Sequence, residues 1–427
     1  MKSSHVPRWI RRGAIVAIMA LIAGACSSKP AVSTPGVTAT TIMIGSHQPL
    51  TGPAAPGYSE ISAASNAYFK YVNDAGGVNG RKINYLYKDD GYNPTQTTSV
   101  VRQLVLQDKV FAIFDGLGTP THLAVVDYLN SNNIPDVFVA SGCNCWDNPS
   151  KYPQTFGWQT DYTIEGKILG KYVNDTYGSD KVGYFYQNDE FGQDGVKGVD
   201  QQVAAANVVS RQTYQPTNVN VAPQIAALQR SGAKVVVLYT IPAFTALALL
   251  TAASLHYSPT WVVSSVGSDP VTLTGLLKTF SKGAAGPALL NGMVTDGYLP
   301  PITDASNPWV QLFQKVHDRY IPTLPMDGNV EYGMAVAYDF VQALKAAGKD
   351  LTRAGLVAAI EGGKVTGGPG IVPYGYSSSS HLGFLGVQIA INQGGKLVPT
   401  GSVYQSTNDG PITVSSYKAA TPPANGI

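Results

Sequence analysis

The sequence predicts an α/β protein of two similarly built lobes, and three observations carry that reading. Short β-branched and aromatic runs alternate with helical periodicities along most of the 427 residues. The rhythm restarts after YPQTFGWQTDY, as if one unit were complete and a second began. The pentapeptide KYVND ends a helix before a strand at 70–74 and does so again at 171–175. Alternating strands and helices imply parallel sheets covered on both faces.

Taken in order, TTIMIGSH (40–47) is β-branched and apolar and reads as a strand. The stretch after it carries Ile61, Ala64, Tyr68, Tyr71 and Val72 at helical spacing and stops at Gly76-Gly77. INYLYKDD is the next strand, 95–108 a helix, VFAIFDG a strand, 120–131 a helix and DVFVAS (136–141) a strand. The second series runs helix 163–176, strand KVGYFYQND, helix 192–205, strand NVVSRQTY, helix 219–231, strand KVVVLYT, helix 243–255 and strand WVVSSVG. Beyond 290, MVTDGYLPPITDASNPW is loop-rich, followed by helices at 308–319 and 332–347. GGPGIVPYGYSSSSHLGFLGVQIAINQGGKL reads as a closing hairpin. A chain that builds one lobe, then a second, then returns to each crosses between them three times.

The N-terminus sets the compartment. Arg8, Arg11 and Arg12 precede an uncharged apolar run, 13–25, that ends in small residues. That run is too short for a permanent membrane span, which needs roughly 20 apolar residues, and reads as a signal peptide over 1–25. LIAGAC resembles a lipobox, with Ala23 in place of its usual leucine, so Cys26 is the expected lipidation site; plain secretion and twin-arginine export are the alternatives. Residues 26–40 then form a Ser/Thr/Pro/Ala-rich flexible tether. The expected location is extracytoplasmic, anchored to the membrane, in a disulfide-permissive setting.

Only 13% of residues are charged and the net charge is +2, so no basic field argues for nucleic acid. The 24 tyrosines are the unusual feature, because a flat apolar ring with a polar tip suits small-molecule and partner surfaces. No G-x-S-x-G, H-E-x-x-H or phosphate-cradling motif supports an enzyme, and neither a cofactor nor a metal is implied.

IGSHQPLTGPAAPGYSEISAASNAYFKYVNDAGGVNGRKINYLYKDDGYNP, together with YQNDEFGQDG (186–195), VASGCNCWDNP (139–149) and NVEYGMAVAYDFVQALKAAG (329–348), resembles the branched-chain amino-acid-type solute-binding proteins of ABC importers. The resemblance runs from about 41 to 400. It implies two Rossmann-like lobes joined by a three-strand hinge, with 41–157 and 297–365 in the N-terminal lobe, 158–296 and 366–415 in the C-terminal lobe, and 416–427 as a tail. It also implies capture of a small carboxylate- or amide-bearing solute in the interlobe cleft and delivery to an ABC permease complex. A sensory binding protein of the same fold and an extracellular enzyme are the alternatives.

By that resemblance the ligand carboxylate meets hydroxyls and amides of the first lobe, matching Thr119 and Thr121 in GLGTPTH and Ser141 in SGCNC. For the two threonines, helix capping is the equal rival. Tyr58 falls where the family places an aromatic ring over the ligand, against a solvated turn tyrosine. Phe191 is the second-lobe counterpart, and Glu331 and Tyr332 fall near the hinge; Phe244 reads as core before site. Amino-acid-binding relatives carry an acid after the strand equivalent to WVVSS. Here that place holds Ser264 and Ser265, and Asp269 comes late and suits a helix cap. An ammonium without a counter-charge is costly, which favours a ligand without an amine.

Cys143 and Cys145, with Cys26 lipidated, are left with each other. Residues i and i+2 of an extended segment point the same way, so a bridge lining the cleft and turning Trp146 toward it is the leading reading. Free thiols, a metal site or a nucleophile served by His122 are the rivals. A metal lacks two further ligands, because the six histidines show no paired spacing.

Overall fold

The computed structural model describes Met1 and residues 34–427. The expected signal peptide, Cys26 and the first part of the tether lie outside the described residues. From Thr34 onward the tether is already docked. Val37 bridges Ile42, and Met43 N–H donates to Gly36 O. Gly36 sits at φ +74°, and a Cβ there would overlap the backbone of Phe111.

Two sheets organise the chain. The first contains β1 (Thr41–Gln48), β2 (Lys82–Asp89), β3 (Ile113–Phe114), β4 (Asp136–Val139) and β5 (Thr155–Gly157), all parallel, in the order 2-1-3-4-5. The second begins with β6 (Val182–Gln187), β7 (Val208–Tyr214), β8 (Val235–Tyr239), β9 (Thr260–Val263) and β10 (Val294–Gly297), again parallel and in the order 7-6-8-9-10. This is the first sheet's order repeated, so both lobes reverse their strand order between the first and third strands. Open sheets bind ligands at such switch points, beyond the carboxyl ends of the strands.

Fully buried strands need apolar residues on both faces, and VVVLY of β8 is buried throughout. Helix starts follow local chemistry. Asn93 accepts from Thr95 N and Gln96 N ahead of Pro94, and Asp161 caps Tyr162–Tyr177 through Thr163 N and Ile164 N.

Several expectations are corrected. The helix expected at 120–131 is two short ones, Thr119–Leu123 and Val126–Ser131. The loop-rich segment after 290 contains β10, and β5 and the helix Arg353–Glu361 carried no sequence signal that was read. The closing hairpin is two hairpins. The strands β11 (Tyr374–Ser377) and β12 (Ser380–Phe384) pair with each other and pack on the first lobe, where Tyr376 stacks on Phe138 and its hydroxyl donates to Gly157 O. β13 (Gly386–Gln393) pairs antiparallel with β10, and β14 (Lys396–Gln405) and β15 (Thr413–Val414) extend the second sheet from it, each antiparallel to the strand before. Residues 374–384, placed by sequence in the C-terminal lobe, therefore pack with the N-terminal one. Residues 416–427 are no loose tail. Tyr68 and Tyr71 hydroxyls donate to Gly426 O and Asn425 O, and Trp309 Nε1 donates to Ala420 O.

The three crossings between lobes meet in an aromatic cluster. The Trp158 ring stands edge-on to Tyr298 (5.9 Å) and Phe384 (5.1 Å), and Phe384 N–H donates to Trp158 O. Among the described residues no helix is long and apolar enough to cross a membrane.

Candidate functional site

The interlobe cleft is assembled from chain segments that follow strand ends. Tyr92 follows β2, Leu117 to Thr119 follow β3, Ala140 follows β4 and Gln159 with Tyr162 follow β5. Facing them, Phe191 follows β6, Ile241 follows β8, Ser265 and Val266 follow β9, and Tyr298 follows β10. Tyr58, Asn329 and Tyr332 complete the wall of the cleft.

The lobes touch across this space. Tyr58 Oη donates to Val266 O at 2.7 Å, and Gln187 Nε2 donates to Tyr92 Oη at 3.1 Å. Gln187 is itself fixed, because Tyr214 Oη donates to its Oε1 and Tyr214 Oη in turn accepts from Ile241 N. At the rim Asn144 N–H donates to Asp194 Oδ2. Burial pushes the Tyr58, Tyr92 and Tyr298 hydroxyls well above their ordinary range, so the wall presents neutral phenols.

Of the residues singled out by sequence, Tyr58, Thr119, Phe191, Ser265 and Tyr332 line this cleft. Thr121 does not: its hydroxyl bonds back to Leu117 O and Gly118 O. Ser141 stands behind the wall, 2.6 Å from Thr119 Oγ1. Phe244 is core, stacked on Tyr214 at 4.1 Å.

The SGCNCWD loop is the largest correction. The sulfurs of Cys143 and Cys145 are bonded, with Cα atoms 5.1 Å apart. Yet neither they nor Trp146 line the cleft. Trp146 is 1% exposed and packs among Val126, Val139, Cys143 and Tyr152, edge-on to His122 at 5.1 Å. The turn Asn144–Trp146 swings the indole into the lobe, because an apolar niche of that size outcompetes a half-wet cleft edge. His122 serves no nucleophile. Its Nδ1 meets His47 Nε2 at 2.9 Å and its Nε2 meets Asp136 at 2.8 Å, while His47 Nδ1 meets Asp90 at 2.8 Å. Two histidines without paired spacing thus pair in space, as a buried chain joining β1, β4 and the segment after β2.

The Ser264–Ser265 place is not without acid either. Glu165, from the helix after β5, accepts from Ser264 Oγ, Ser265 Oγ and Ser265 N, and Asp296 of β10 accepts from the same Ser265 N. The expectation that this place lacks a carboxylate is therefore overturned by two side chains distant in sequence. Asp269 caps the helix Pro270–Phe280 through Thr272 N and also accepts from Gly328 N.

Tyr92, Tyr162, Tyr298, Gln159 and Asn329 were missed. Their one available signal was position: Tyr92, Gln159 and Tyr298 follow strand ends, and Tyr162 and Asn329 lie in the first turn of helices. Tyr162, for example, directly follows the capping Asp161.

A model of the family described as periplasmic binding protein matches residues 41–386. Leu/Ile/Val-binding protein homolog 2 of Brucella abortus is 30% identical over 166 residues, 37% of this chain and 42% of the relative. Homolog 7 from the same organism is 24% identical over 53% of this chain and 59% of its own length. The chain thus spans less than two thirds of the curated relatives it matches. In fold it is similar to a branched chain amino acid ABC transporter from Thermus thermophilus with bound valine (TM-score 0.76, 20% identity, 87% of this chain and 98% of that one). It is likewise similar to a fatty acid ABC transporter substrate-binding protein from Thermomonospora curvata (TM-score 0.75, 24% identity, 88% and 95%). With a family match over most of its length and the paired 2-1-3-4-5 sheets of that fold, this chain belongs to the periplasmic binding protein family.

Proposed function

We propose that the protein captures a small carboxylate- or amide-bearing solute, a branched-chain amino acid or an amine-free analogue, in the interlobe cleft and delivers it to the permease of an ABC importer. The observation that carries this is the cleft itself. Aromatic side chains from both lobes line a shared cleft, and the hydrogen bonds Tyr58–Val266 and Gln187–Tyr92 bridge it. The lobes, 41–157 with 297–384 and 158–296 with 386–415, hinge at the Trp158–Tyr298–Phe384 cluster and close over the ligand. Thr119, with Ser141 behind it, receives the polar end, while Tyr58, Phe191 and Tyr332 hold the apolar body. No bond of the ligand is made or broken. Outside the membrane, a lipid on Cys26 keeps the protein near its permease. The names of the Brucella relatives and of the Thermus structure, which refer to branched-chain amino acids, support this reading.

Calorimetry against two panels tests it. One panel holds leucine, isoleucine, valine and phenylalanine; the other holds amine-free acids and short amides. Binding in either panel without product formation supports capture. Product formation, or no binding in both panels, refutes it.

A further inference from the structure

Ser265, Tyr298, Asn329 and Tyr332 are shared between the cleft and a second chamber on the hinge side. Its chemistry differs from that of the cleft. Much of the wall is apolar, with Leu299, Pro300, Ile302 and Ile371, but three acidic residues, Asp269, Asp296 and Glu331, also line it. The oxygens of Asp269 accept from Thr272 N and Gly328 N. Those of the other two are only partly satisfied, although Asp296 Oδ1 accepts from Ser265 N and its carboxyl lies against that of Glu165. Glu331 is 3% exposed and its Oε1 has no hydrogen-bond partner; Asp296 is 3% exposed and its Oδ2 has none. Glu165 adds a further carboxyl beside Asp296 on the far side of Ser265. None of the ion pairs among the described residues involves any of these four groups.

We propose that this chamber is a cation subsite: it takes the ammonium or guanidinium end of a solute whose other end lies in the aromatic cleft, with Glu331 as the receiving carboxylate and Asp296 as a second acid in its wall. An ionised carboxylate left alone in an apolar site is costly, and a cation brought by the ligand removes that cost. In its absence burial and the nearby Asp269 hold the Glu331 carboxyl well above the usual carboxylate range. The apolar walls suit the methylenes of a cationic chain, which long amines bury while their heads stay paired. Among the described residues no three His, Cys, Asp or Glu side chains converge to hold a metal ion. The inference rests on the cleft being the solute site, and it adds to the small acids of the cleft those that carry a second, cationic end.

Two matched pairs test it by calorimetry on the exported protein: 6-aminohexanoate against hexanoate, and L-lysine against L-norleucine. Members of each pair differ in the terminal ammonium. The expected result is that the amine-bearing member of at least one pair binds tenfold or more tighter, and that Glu331→Gln brings that ratio within twofold. Asp296→Asn, read the same way, lowers the ratio as well and guards against a folding defect specific to Glu331→Gln. Equal affinity within both pairs, or a ratio that survives both substitutions, overturns the cation subsite while leaving solute capture standing. If neither member of either pair binds, the subsite falls, and the cleft is judged separately by the leucine and amine-free panels.

Discussion

Two loops of this protein occupy matching places and do opposite things. SGCNCWD follows β4 of the first sheet, SSVGSD follows β9 of the second, and each makes a 3₁₀ turn at the carboxyl end of a parallel strand. The first is clipped by a disulfide, roofed by Trp146 and turned into its own lobe. The second opens onto both the cleft and the hinge-side chamber and collects Glu165 and Asp296 beneath it. Topology brings a loop to the crevice; the packing of its side chains decides whether it faces the ligand.

Both loops are pinned by a glycine pressed against a neighbouring backbone, and this is where the largest effects are expected. A Cβ on Gly267 would overlap Thr240 O, and one on Gly142 would overlap Thr160 O and stand 2.9 Å from the Tyr162 ring. Gly267→Ala and Gly142→Ala should each cost about 3 kcal/mol in denaturant unfolding, since neither neighbour is a flexible side-chain tip. A much smaller loss in one would show that its loop can shift, and the loops would differ in rigidity as well as in facing.

The acids near the loops separate them next. Burial, reinforced by the charge of Asp269, pushes Asp327 up to about 7, and burial pushes Asp161, which accepts from Asn144 Nδ2 of the first loop, up to about 7. A folded value above the unfolded one, about 3.9, means the native state holds its proton longer. The stability associated with each group is therefore fully present below about pH 4 and is lost as pH rises through about 7. Asparagine caps a helix as well as aspartate does, so Asp327→Asn and Asp161→Asn should exceed the parent in stability by on the order of 2 kcal/mol at pH 8, with the gap closing by pH 4. The larger gain is expected at Asp327, beside the acid-rich loop. Thermal unfolding at the two pH values reads this directly, and an unchanged profile would mean both groups ionise freely in the fold.

Tyr58→Phe removes the hydrogen bond that ties the first lobe to Val266 of the open loop. The expected cost is about 1 kcal/mol of closure, a roughly fivefold weaker affinity with little change in thermal stability. Smallest of all is the clip. Replacing Cys143 and Cys145 together by serine releases a loop so short that chain entropy allows no more than ~1.6 kcal/mol. Solute affinity should move less than about twofold, because neither cysteine lines the cleft. A tenfold loss on reduction would restore the disulfide loop to the binding surface and erase the contrast between the loops.

Much of this was readable along the chain. Most of the strands that carry the cleft stand out as β-branched or aromatic runs, as YFYQ of β6 and VVVLY of β8 show, and the restart near residue 158 marks the second lobe. Tyr58, Thr119, Phe191, Ser265 and Tyr332 were found through the family resemblance carried by the motifs around them. Trp146 was misjudged because the same three residues of turn can point an indole to either side of a strand end, and only the niche between Val126, Val139 and Tyr152 settles the choice. β10 escaped because four residues, VTDG, carry too little pattern between loops.

The sequence by itself determined the two-lobed α/β plan, the alternation that makes its sheets parallel, and the crevice at their carboxyl ends, since periodicity and strand-end loops are local properties of the chain. Tertiary structure alone decided which carboxyls gather around Ser265. Glu165 and Asp296 stand 100 and 31 residues from it and meet there across two elements. Their charge, burial and missing partners exist only once the lobes are packed, because desolvation is a property of the environment and not of the residue.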